Sequence, residues 1–468
     1  MRRVFFVISY SLIVIGSSAQ TISQKLQKAF ATFEKDSQLK HAISSLYVID
    51  ANTGQVVFDK NSQIGLAPAS TQKIITSVTA FELLGKGFRY KTYFVPYRSS
   101  VINNGINLQV VGSGDPTFGS WRYDKNFEKN LFDSLFQNFK RKGISKIRYL
   151  NVTSFFQEEQ IIPDGWINQD IGNYYGAGAA GLNWRENQYD LVLIPGKQMG
   201  ERVVVDSVIP SLGNPSFANY VKTGAKGSGD NAYIYFFGKS SYEFRGTVPL
   251  GPDRFVISGA IKYPDEVFAR SLMEFLDSKG LRDSLAISQD NLFSTGTIPI
   301  IPDDKNIIYI HYSPSLDSII YWFNKKSINL YGEALIKTFA YEKSGFASTD
   351  SGVAVAKNFW KEKGLDKDEL NIVDGSGLSP LNRVTTHSQV EILKYAKTKD
   401  WFPYFYTSLP EYNKMSMKSG TIRGVKGFCG YHKAKNGKEY IFSFLVNNYN
   451  GSSSSLVNKM YKVLDILK

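Results

Sequence analysis

The sequence predicts an α+β fold, in which an antiparallel sheet flanked by helices is interrupted by a large β-rich insertion of one or two modules. Strand-like runs occur near both ends of the chain, and helical patterns lie next to them. Between about residue 89 and residue 295, short strand-like runs alternate instead with Gly, Asn, Pro and Asp. Because 468 residues exceed the usual size of one domain, we expect two or three units.

The first folded segment is predicted to be a hairpin followed by a helix. The runs ISSLYVID and QVVFDK fall within residues 43–60, and Asn52-Thr53-Gly54 supplies turn residues between them. After Pro68, apolar residues recur at helical spacing, at Ile74, Val78, Phe81 and Leu84. Ser70 therefore falls at the start of a mostly buried helix.

The C-terminal segment has a matching pattern. The runs KGFCGYHKA and KEYIFSFLVNNY are joined by Asn436-Gly437, a strong hairpin signal. A final helix presents Leu456, Met460, Val463 and Leu467 on one face. We therefore assign residues 20–88 and 296–468 to one domain that both chain ends share, and residues 89–295 to the insertion. The insertion should stand beside the active site, with its loop 163–184 reaching the cleft.

Residues 1–19 have the pattern of a secretory signal peptide. Arg2 and Arg3 precede an apolar run from Val4 to Ile15, and small residues up to Ala19 follow. The run is shorter than the roughly twenty residues of a membrane span, although an uncleaved membrane anchor is the alternative. No later apolar stretch of that length occurs. We expect cleavage after Ala19 and a secreted protein, periplasmic or cell-envelope associated, without a transmembrane segment after cleavage.

Composition argues against several function classes. The net charge of +13 is spread along the chain, which favours contact with polyanions such as a cell envelope but not nucleic-acid binding. The single cysteine, Cys429, rules out an internal disulfide and is expected to be a buried small side chain. The four histidines have no metal-ligand spacing, and no Gly-x-Ser-x-Gly occurs. We therefore expect no metal, no cofactor, no nucleic-acid partner and no histidine-based triad.

Two Ser-x-x-Lys patterns occur, at Ser70–Lys73 and at Ser37–Lys40. A Lys three residues after a Ser lies on the same helix face. At a helix N-terminus the helix dipole favours an alkoxide and disfavours an ammonium, so the Lys can act as the base for the Ser. Because Ser37–Lys40 lies in a polar, charged segment, we favour Ser70 as the nucleophile and Lys73 as its base.

Two further motifs decide between these readings. Ser-x-x-Lys, Ser-Asp-Asn and Lys-Thr-Gly together are the signature of penicillin-binding proteins and class A β-lactamases. This sequence departs from it at Ile328, where Asp is common, and at Ser419, where Thr is usual, but both changes keep the groups that carry the chemistry. Ser-x-Asn occurs once, at Ser327-Ile328-Asn329. Three Lys-Ser/Thr-Gly sequences occur, but Lys343 follows a helical stretch as a helix C-cap, and Lys222 precedes Ser327 in the chain. We therefore select Lys418-Ser419-Gly420, which leads into the terminal hairpin.

With these motifs the sequence resembles the D-alanyl-D-alanine carboxypeptidase/endopeptidase family, the class C low-molecular-mass penicillin-binding proteins. The resemblance covers nearly the whole mature chain and includes VGSGDPTF, PDGW, YYGAGAAGLNW, HYSPSL and DGSGLSPLNRVT. The long connection between Lys73 and Ser327 also fits this family, whereas β-lactamases have a far shorter one. The resemblance implies a penicillin-binding/β-lactamase-like domain.

The resemblance also implies the roles of the catalytic residues. Ser70 would attack the carbonyl of the D-Ala–D-Ala bond, and Lys73 would take its proton. Ser327 would relay a proton to the leaving amine. The backbone N–H groups of Ser70 and Thr421 would form the oxyanion hole.

Substrate-binding residues are implied in the same way. Asn329 would hold the peptide backbone, and the segment Lys418, Ser419, Gly420 and Thr421 would bind the terminal carboxylate. Three residues match the family's side-chain amine pocket loosely, namely Trp166, Asp170 and Tyr174; an aromatic loop core with a solvated Asp is the alternative.

Three functions are consistent with the sequence. The first is an exported serine-type D-Ala-D-Ala carboxypeptidase/endopeptidase, which acts on peptidoglycan stem peptides and cross-links through an acyl-enzyme and has β-lactams as covalent inhibitors. A β-lactamase on a related scaffold would share the acyl-enzyme and differ in fast deacylation. A non-catalytic peptidoglycan-binding protein would have no need of the Ser–Lys pair, which disfavours it.

Overall fold

The computed structural model describes residues 20–96, 105–156, 160–213, 215–237, 241–282, 293–295 and 306–468, and the predicted signal peptide 1–19 lies outside the described residues. The α-helices are α1 (Ile22–Glu34), α2 (Lys73–Leu84), α3 (Phe127–Arg141), α4 (Asn168–Ile171), α5 (Pro264–Ser278), α6 (Leu316–Lys325), α7 (Asn329–Ser344), α8 (Thr349–Glu362), α9 (Thr386–Lys397), α10 (Phe402–Ser408) and α11 (Ser453–Leu464).

The strands in the first half of the chain are β1 (Ile43–Asp50), β2 (Val56–Lys60), β3 (Lys91–Pro96), β4 (Gly105–Gly112), β5 (Lys146–Ser154), β6 (Gln188–Ile194), β7 (Val204–Ile209), β8 (Ser216–Asn219), β9 (Lys222–Gly224) and β10 (Asn231–Phe237). Those in the second half are β11 (Ser241–Pro249), β12 (Phe255–Ala260), β13 (Phe293–Thr295), β14 (Tyr309–Tyr312), β15 (Leu370–Asn371), β16 (Arg383–Val384), β17 (Glu411–Tyr412), β18 (Met415–Ile422), β19 (Val425–Lys433) and β20 (Glu439–Asn447).

Both ends of the chain form one six-stranded antiparallel sheet, as predicted. Its strand order is β17-β18-β19-β20-β1-β2, and β1 joins the two ends by pairing with β20, with Ile43 opposite Asn447. The turn between β19 and β20 contains Gly437 at φ 84°, a left-handed conformation that favours glycine. The predicted α+β architecture is confirmed.

Helices cover both faces of this sheet because its strands are apolar on both sides. Side chains of a strand alternate between the two faces. On β1, Leu46 and Val48 pack into a core with α1 and α11, whereas Tyr47 and Ile49 pack into the larger core with α2 and α6–α10. Helix α2 is central to this larger core, and every residue from Lys73 to Phe81 is buried.

The part of the chain that runs from β3 to β14 forms a second hydrophobic core. It combines a five-stranded sheet (β13-β5-β4-β3-β14), a three-stranded sheet (β12-β6-β7), and β8–β11. Two helices of 15 residues, α3 and α5, also belong to this core. The prediction of a β-rich insertion is therefore incomplete, because it named only strands. The sequence contained a signal for α3 that was not used. Apolar residues recur there every four positions, at Leu131, Leu135 and Phe139.

Strand β14 pairs with β3, so the chain contributes to this second region beyond residue 295. The domain limits 20–88, 89–295 and 296–468 stay a prediction. Among the described residues, no helix is both long and apolar enough to cross a membrane.

Candidate active site

Ser70 lies at the N-terminal end of the central helix. A 3-10 turn, Ala69–Gln72, leads directly into α2, so Ser70 and Lys73 stand on neighbouring turns of one continuous helical segment. Ala69 has φ 46°, a left-handed conformation that is strained for a residue with a side chain. The strained turn places Ser70 in the wall of a cleft, while Thr71, Gln72 and Lys73 are buried beneath it.

Lys73 is fully buried and contacts Ser70. Its Nζ donates to Ser70 Oγ at 3.0 Å, to Asn329 Oδ1 at 2.6 Å and to the Ser376 carbonyl oxygen at 2.7 Å. Burial lowers the pKa of Lys73 well below its usual value, and the charge of Lys418 lowers it further. A lysine in such surroundings can be a neutral amine that accepts a proton.

The Ser-x-Asn motif connects α6 to α7. Ser327 has φ 57° in this connection, and Asn329 is the first residue of α7. The amide of Asn329 bridges two parts of the protein, because Oδ1 accepts from Lys73 and Nδ2 donates to the Tyr175 carbonyl oxygen at 2.7 Å. The loop 163–184 is therefore joined to the helix that carries the motif.

The Lys-Ser-Gly motif lies on β18. Lys418 is buried, and its Nζ donates to Ser327 Oγ at 2.9 Å and to the Ser419 carbonyl oxygen at 2.9 Å. Burial lowers the pKa of Lys418 to about 7. The hydroxyl of Thr421, which lines the cleft, accepts from Lys426 Nζ at 2.8 Å.

Gly420 allows β18 to approach the start of α2. A Cβ at this position would lie 2.5 Å from the Pro68 carbonyl oxygen, 2.8 Å from Thr71 N and 2.9 Å from Ser70 N. These are backbone atoms, which a side chain could not displace without moving the strand. Only glycine is compatible with this contact.

Two buried carboxyl groups behind Lys73 are absent from the sequence predictions. Glu333 lies one helical turn after Asn329, and its Oε2 accepts from Gly375 N at 3.0 Å. Burial raises the pKa of Glu333 to about 8, and the charge of Asp374 adds to this increase. Within the described residues, Glu333 Oε1 has no hydrogen-bonding partner. The sequence did contain a signal for Glu333. It follows Asn329 by four residues, and this spacing puts the two side chains on one helix face.

Asp374 organises the turn that begins the sequence DGSGLS. Its oxygens accept from the side chains of Gln72, Trp166 and Asn382 and from the backbone N–H groups of residues 377 and 379. This turn supplies the Ser376 carbonyl oxygen that receives the Lys73 hydrogen bond. DGSGLS is one of the segments that carry the family resemblance, but no role was predicted for Asp374.

The three residues of the predicted amine pocket have different positions. Asp170 and Tyr174 line the cleft; Asp170 accepts from the Tyr175 hydroxyl at 3.3 Å, and burial raises its pKa. Trp166 is not part of the cleft lining. Its indole is 8% exposed and donates to Asp374 Oδ2 at 3.0 Å. The assignment of Trp166 to the pocket is corrected, because its one polar group is directed into the protein interior.

The cleft has a volume of about 900 Å³ and is open to solvent. The motif residues Ser70, Ser327, Asn329 and Thr421 line it, whereas Lys73 and Lys418 lie beneath its surface. The opposite wall comes from the predicted insertion and includes not only the loop 163–184 but also Arg122, Gln188, Tyr233 and Ser258. The loop 163–184 therefore lines the cleft together with other parts of the predicted insertion.

The other sequence candidates lie elsewhere. Ser37 begins a 3-10 turn after α1, Lys343 is in the last turn of α7, and Lys222 begins β9. Cys429 is buried, as expected. No group of three or more potential metal ligands occurs in the described part of the chain.

The chain is similar to known carboxypeptidases over most of its length. The chain matches the D-Ala-D-Ala carboxypeptidase 3 (S13) family over residues 26–465. It is 26% identical over 451 residues to the D-alanyl-D-alanine carboxypeptidase of Actinomadura sp. (strain R39), covering 89% of this chain and 80% of that protein. It is 24% identical to D-alanyl-D-alanine carboxypeptidase DacB of Haemophilus influenzae, covering 85% and 84%.

A solved structure shares the fold. Penicillin binding protein 4 of Haemophilus influenzae superimposes with a TM-score of 0.77 at 20% sequence identity, over 94% of this chain and 98% of that one. The family match spans nearly the whole sequence and confirms the resemblance on which the sequence interpretation rests. This chain belongs to the D-Ala-D-Ala carboxypeptidase 3 (S13) family of serine peptidases.

Proposed function

We propose that this protein is an exported serine D-Ala-D-Ala carboxypeptidase and endopeptidase, which cleaves peptidoglycan peptides through an acyl-enzyme on Ser70 and is inhibited by β-lactams. The observation that carries the proposal is the 3.0 Å contact between Lys73 Nζ and Ser70 Oγ, in which the buried Lys73 lies behind a serine that lines an open cleft. This pair contains a nucleophile and a base in hydrogen-bonding distance.

In the first step, Lys73 acts as the general base. When neutral, its amine has two hydrogens, which Asn329 Oδ1 and the Ser376 carbonyl oxygen accept. The lone pair is then available for the Ser70 hydroxyl proton. Ser70 attacks the carbonyl carbon of the penultimate D-Ala, and the backbone N–H groups of Ser70 and Thr421 stabilise the oxyanion.

In the second step, the leaving amine of the terminal D-Ala must be protonated. Ser327 lies on the cleft surface, and its Oγ accepts from Lys418 Nζ. A hydroxyl supported in this way can donate its proton to the amine while Lys418 replaces it. Water then attacks the acyl carbonyl carbon, and Lys73 returns its proton to Ser70 Oγ as the shortened peptide leaves. The proton lost by the attacking water restores Lys418 through solvent.

Recognition of the peptide terminus requires a positive charge near Ser327. Lys418 supplies this charge, and Ser419 and Thr421 flank it on β18. In a cross-linked substrate the amine on the leaving side belongs to a longer peptide, so the same chemistry gives endopeptidase cleavage if the open cleft accepts that peptide. The volume of about 900 Å³ is compatible with a peptide of several residues.

Inhibition by β-lactams follows from the same acylation chemistry. A β-lactam has a strained amide and a carboxylate, for which Ser70 and Lys418 are the proposed partners. Penicillin binding protein 4 of Haemophilus influenzae, whose fold this chain shares, has been solved in complex with a β-lactam. Export rests on the signal-peptide pattern of residues 1–19.

The proposal is tested by incubating the protein with a fluorescent penicillin and locating the adduct by mass spectrometry. We expect one stable adduct on Ser70, none in Ser70→Ala, and an unchanged adduct in Ser37→Ala. Release of D-Ala from an acetylated peptide ending in D-Ala-D-Ala gives the peptidase activity directly. Rapid turnover of the penicillin without peptide hydrolysis would identify a β-lactamase, and the absence of both reactions a binding protein.

A further inference from the structure

A guanidinium group of the insertion faces the substrate cleft. Arg122 belongs to the cleft lining together with Ser70 and Ser327, and its side chain is 20% exposed. Its Nε donates to both oxygens of Glu186, at 2.8 and 3.0 Å. Across the described ranges, neither Nη1 nor Nη2 of Arg122 has a hydrogen-bonding partner. The guanidinium is therefore held at Nε, and its two Nη nitrogens remain available to a ligand in the cleft.

The counter-charge of Arg122 is a fully buried carboxylate. Glu186 is 0% exposed, and its Oε1 also accepts from Ser120 Oγ at 2.7 Å and from the Tyr331 hydroxyl at 2.9 Å. Tyr331 lies on α7, two residues after Asn329. The position of Arg122 is thus coupled to the helix that carries the Ser-x-Asn motif.

The backbone around Glu186 is strained. Arg185, Glu186 and Asn187 have φ values of 54°, 52° and 51°, so three consecutive residues with side chains are left-handed. Such a conformation is strained for residues that carry a Cβ. It persists only where the surroundings over-determine it, and it occurs mainly at functional sites. Here it directs the Glu186 carboxylate inward to Arg122.

Arg122 differs from the other cations of the cleft. Lys326 and Arg423 are exposed, and solvent screens their charges. Arg122 is instead flanked by two aromatic rings, since its Cζ lies 5.6 Å from the Trp121 ring centroid and 5.9 Å from that of Trp322. An arginine fixed in this way loses little side-chain entropy when it binds a planar anion with two hydrogen bonds.

We propose that Arg122 forms an anion subsite of the cleft, which binds a carboxylate on the peptide upstream of the scissile bond. The inference rests on the proposed function, because it assumes that the cleft binds peptides that end in D-Ala-D-Ala. It is separate from the site for the terminal carboxylate, which is assigned to Lys418 on β18. Glu186 is a positioning residue, since it contacts Arg122 and not the ligand.

A purely structural role for Arg122 makes a different prediction. Arg122 could instead serve only to join the insertion to α7 through Glu186. Its loss would then lower kcat/KM for every peptide by the same factor and would also lower the unfolding temperature. A carboxylate subsite instead affects the ratio between anionic and neutral peptides. The experiment therefore measures a ratio.

The probes are acetylated peptides ending in D-Ala-D-Ala, with Glu or Gln at either of the two preceding positions. At one of these positions we expect the parent enzyme to prefer Glu over Gln by about tenfold in kcat/KM, mostly through KM. In Arg122→Gln the ratio should fall to about one, and Arg122→Lys should retain part of it because the charge remains. Arg423→Gln, which removes an exposed cation of the same cleft, should leave the ratio unchanged.

The outcomes are distinguishable. If the parent hydrolyses all peptides without preference, or if Arg122→Gln slows the Glu and Gln peptides equally, the anion subsite does not exist, whereas the proposed function stands. If the parent releases no D-Ala from any peptide and forms no penicillin adduct, the proposed function fails and the subsite fails with it. Thermal unfolding of each variant identifies a loss of folding.

Discussion

Lys418 Nζ donates a hydrogen bond to Ser327 Oγ at 2.9 Å, although 91 residues separate the two in the chain. Lys418 lies on β18 and Ser327 lies between α6 and α7, so this contact joins the sheet to the helical layer at the cleft. Burial lowers the pKa of Lys418 to about 7. The charge at this contact therefore changes with pH near neutrality.

This pKa predicts an alkaline limb in the pH profile of peptide hydrolysis. Lys418 is protonated below its pKa of about 7 and loses the charge above it, so kcat/KM should fall as pH rises through that value. The measurement uses an acetylated peptide with a free C-terminal carboxylate. A matched peptide with a C-terminal amide needs the Lys418 proton only to re-protonate Ser327, so its limb should be shallower. An identical limb for both peptides would contradict the role of Lys418 in carboxylate binding.

Replacement of the base should slow acylation. Lys73→Met keeps the length and packing of the buried side chain but removes the amine that contacts Ser70. The rate of acylation by penicillin should fall by a factor on the order of 10² or more. Lys40→Met, in the second Ser-x-x-Lys sequence, is the control and should acylate like the parent. Acylation of Lys73→Met at the parent rate would mean that another group is the base.

Gly420→Ala tests the contact between β18 and the start of α2. The new Cβ would lie 2.5 Å from the Pro68 carbonyl oxygen and 2.9 Å from Ser70 N, so the strand must move outward. This movement displaces the Thr421 N–H from its proposed place in the oxyanion hole, and we expect acylation to slow by about tenfold or more. Gly87→Ala is the control, because nothing lies within 4 Å of a Cβ there. If Gly420→Ala and Gly87→Ala are acylated at the same rate, the close contact at Gly420 is not needed for catalysis.

The raised pKa of Glu333 predicts that the stability of the fold depends on pH. Its pKa is raised from 4.5 to about 8, so between these values the folded protein holds more protons than the unfolded chain. The parent should therefore lose stability as pH rises through this window. Glu333→Gln has no ionisable group there, and its Tm relative to the parent should increase with pH. Glu342→Gln, at an exposed position of the same helix, should give a constant difference. A constant difference for Glu333→Gln as well would refute a buried, protonated Glu333.

Asp170 is predicted to bind an ammonium group of the stem peptide. It lines the cleft and is the carboxylate of the loop 163–184 that faces Tyr174 and Tyr175 across the same space. Asp170→Asn should lower kcat/KM about tenfold, roughly 1.4 kcal/mol, for peptides with a free side-chain amine. Acetylation of that amine should cause the same loss in the parent and none in the variant. The rate of penicillin acylation should not change in Asp170→Asn. If the variant slows the reactions with the peptide and with penicillin equally, the role of Asp170 is structural.

The sequence by itself determined the features that depend on local spacing. Ser70 and Lys73 are three residues apart at a predicted helix start, and helical geometry brings such residues together. The strands at both chain ends follow from their apolar runs and the Asn436-Gly437 turn. Helix α3 had an equally local signal in Leu131, Leu135 and Phe139, which was outweighed by the strand-like runs around it.

The tertiary structure decided the contacts whose partners are distant in the chain. The Ser376 carbonyl oxygen accepts from Lys73, yet a backbone carbonyl has no residue identity that a sequence motif could reveal. Trp166 is paired with Asp374, and Arg122 with Glu186, because packing of the insertion against α7 and the DGSGLS turn buries the two carboxylates. A buried polar group must find a partner wherever packing places it. Spacing along the chain cannot specify that partner, because it fixes only which residues share a helix face or a strand.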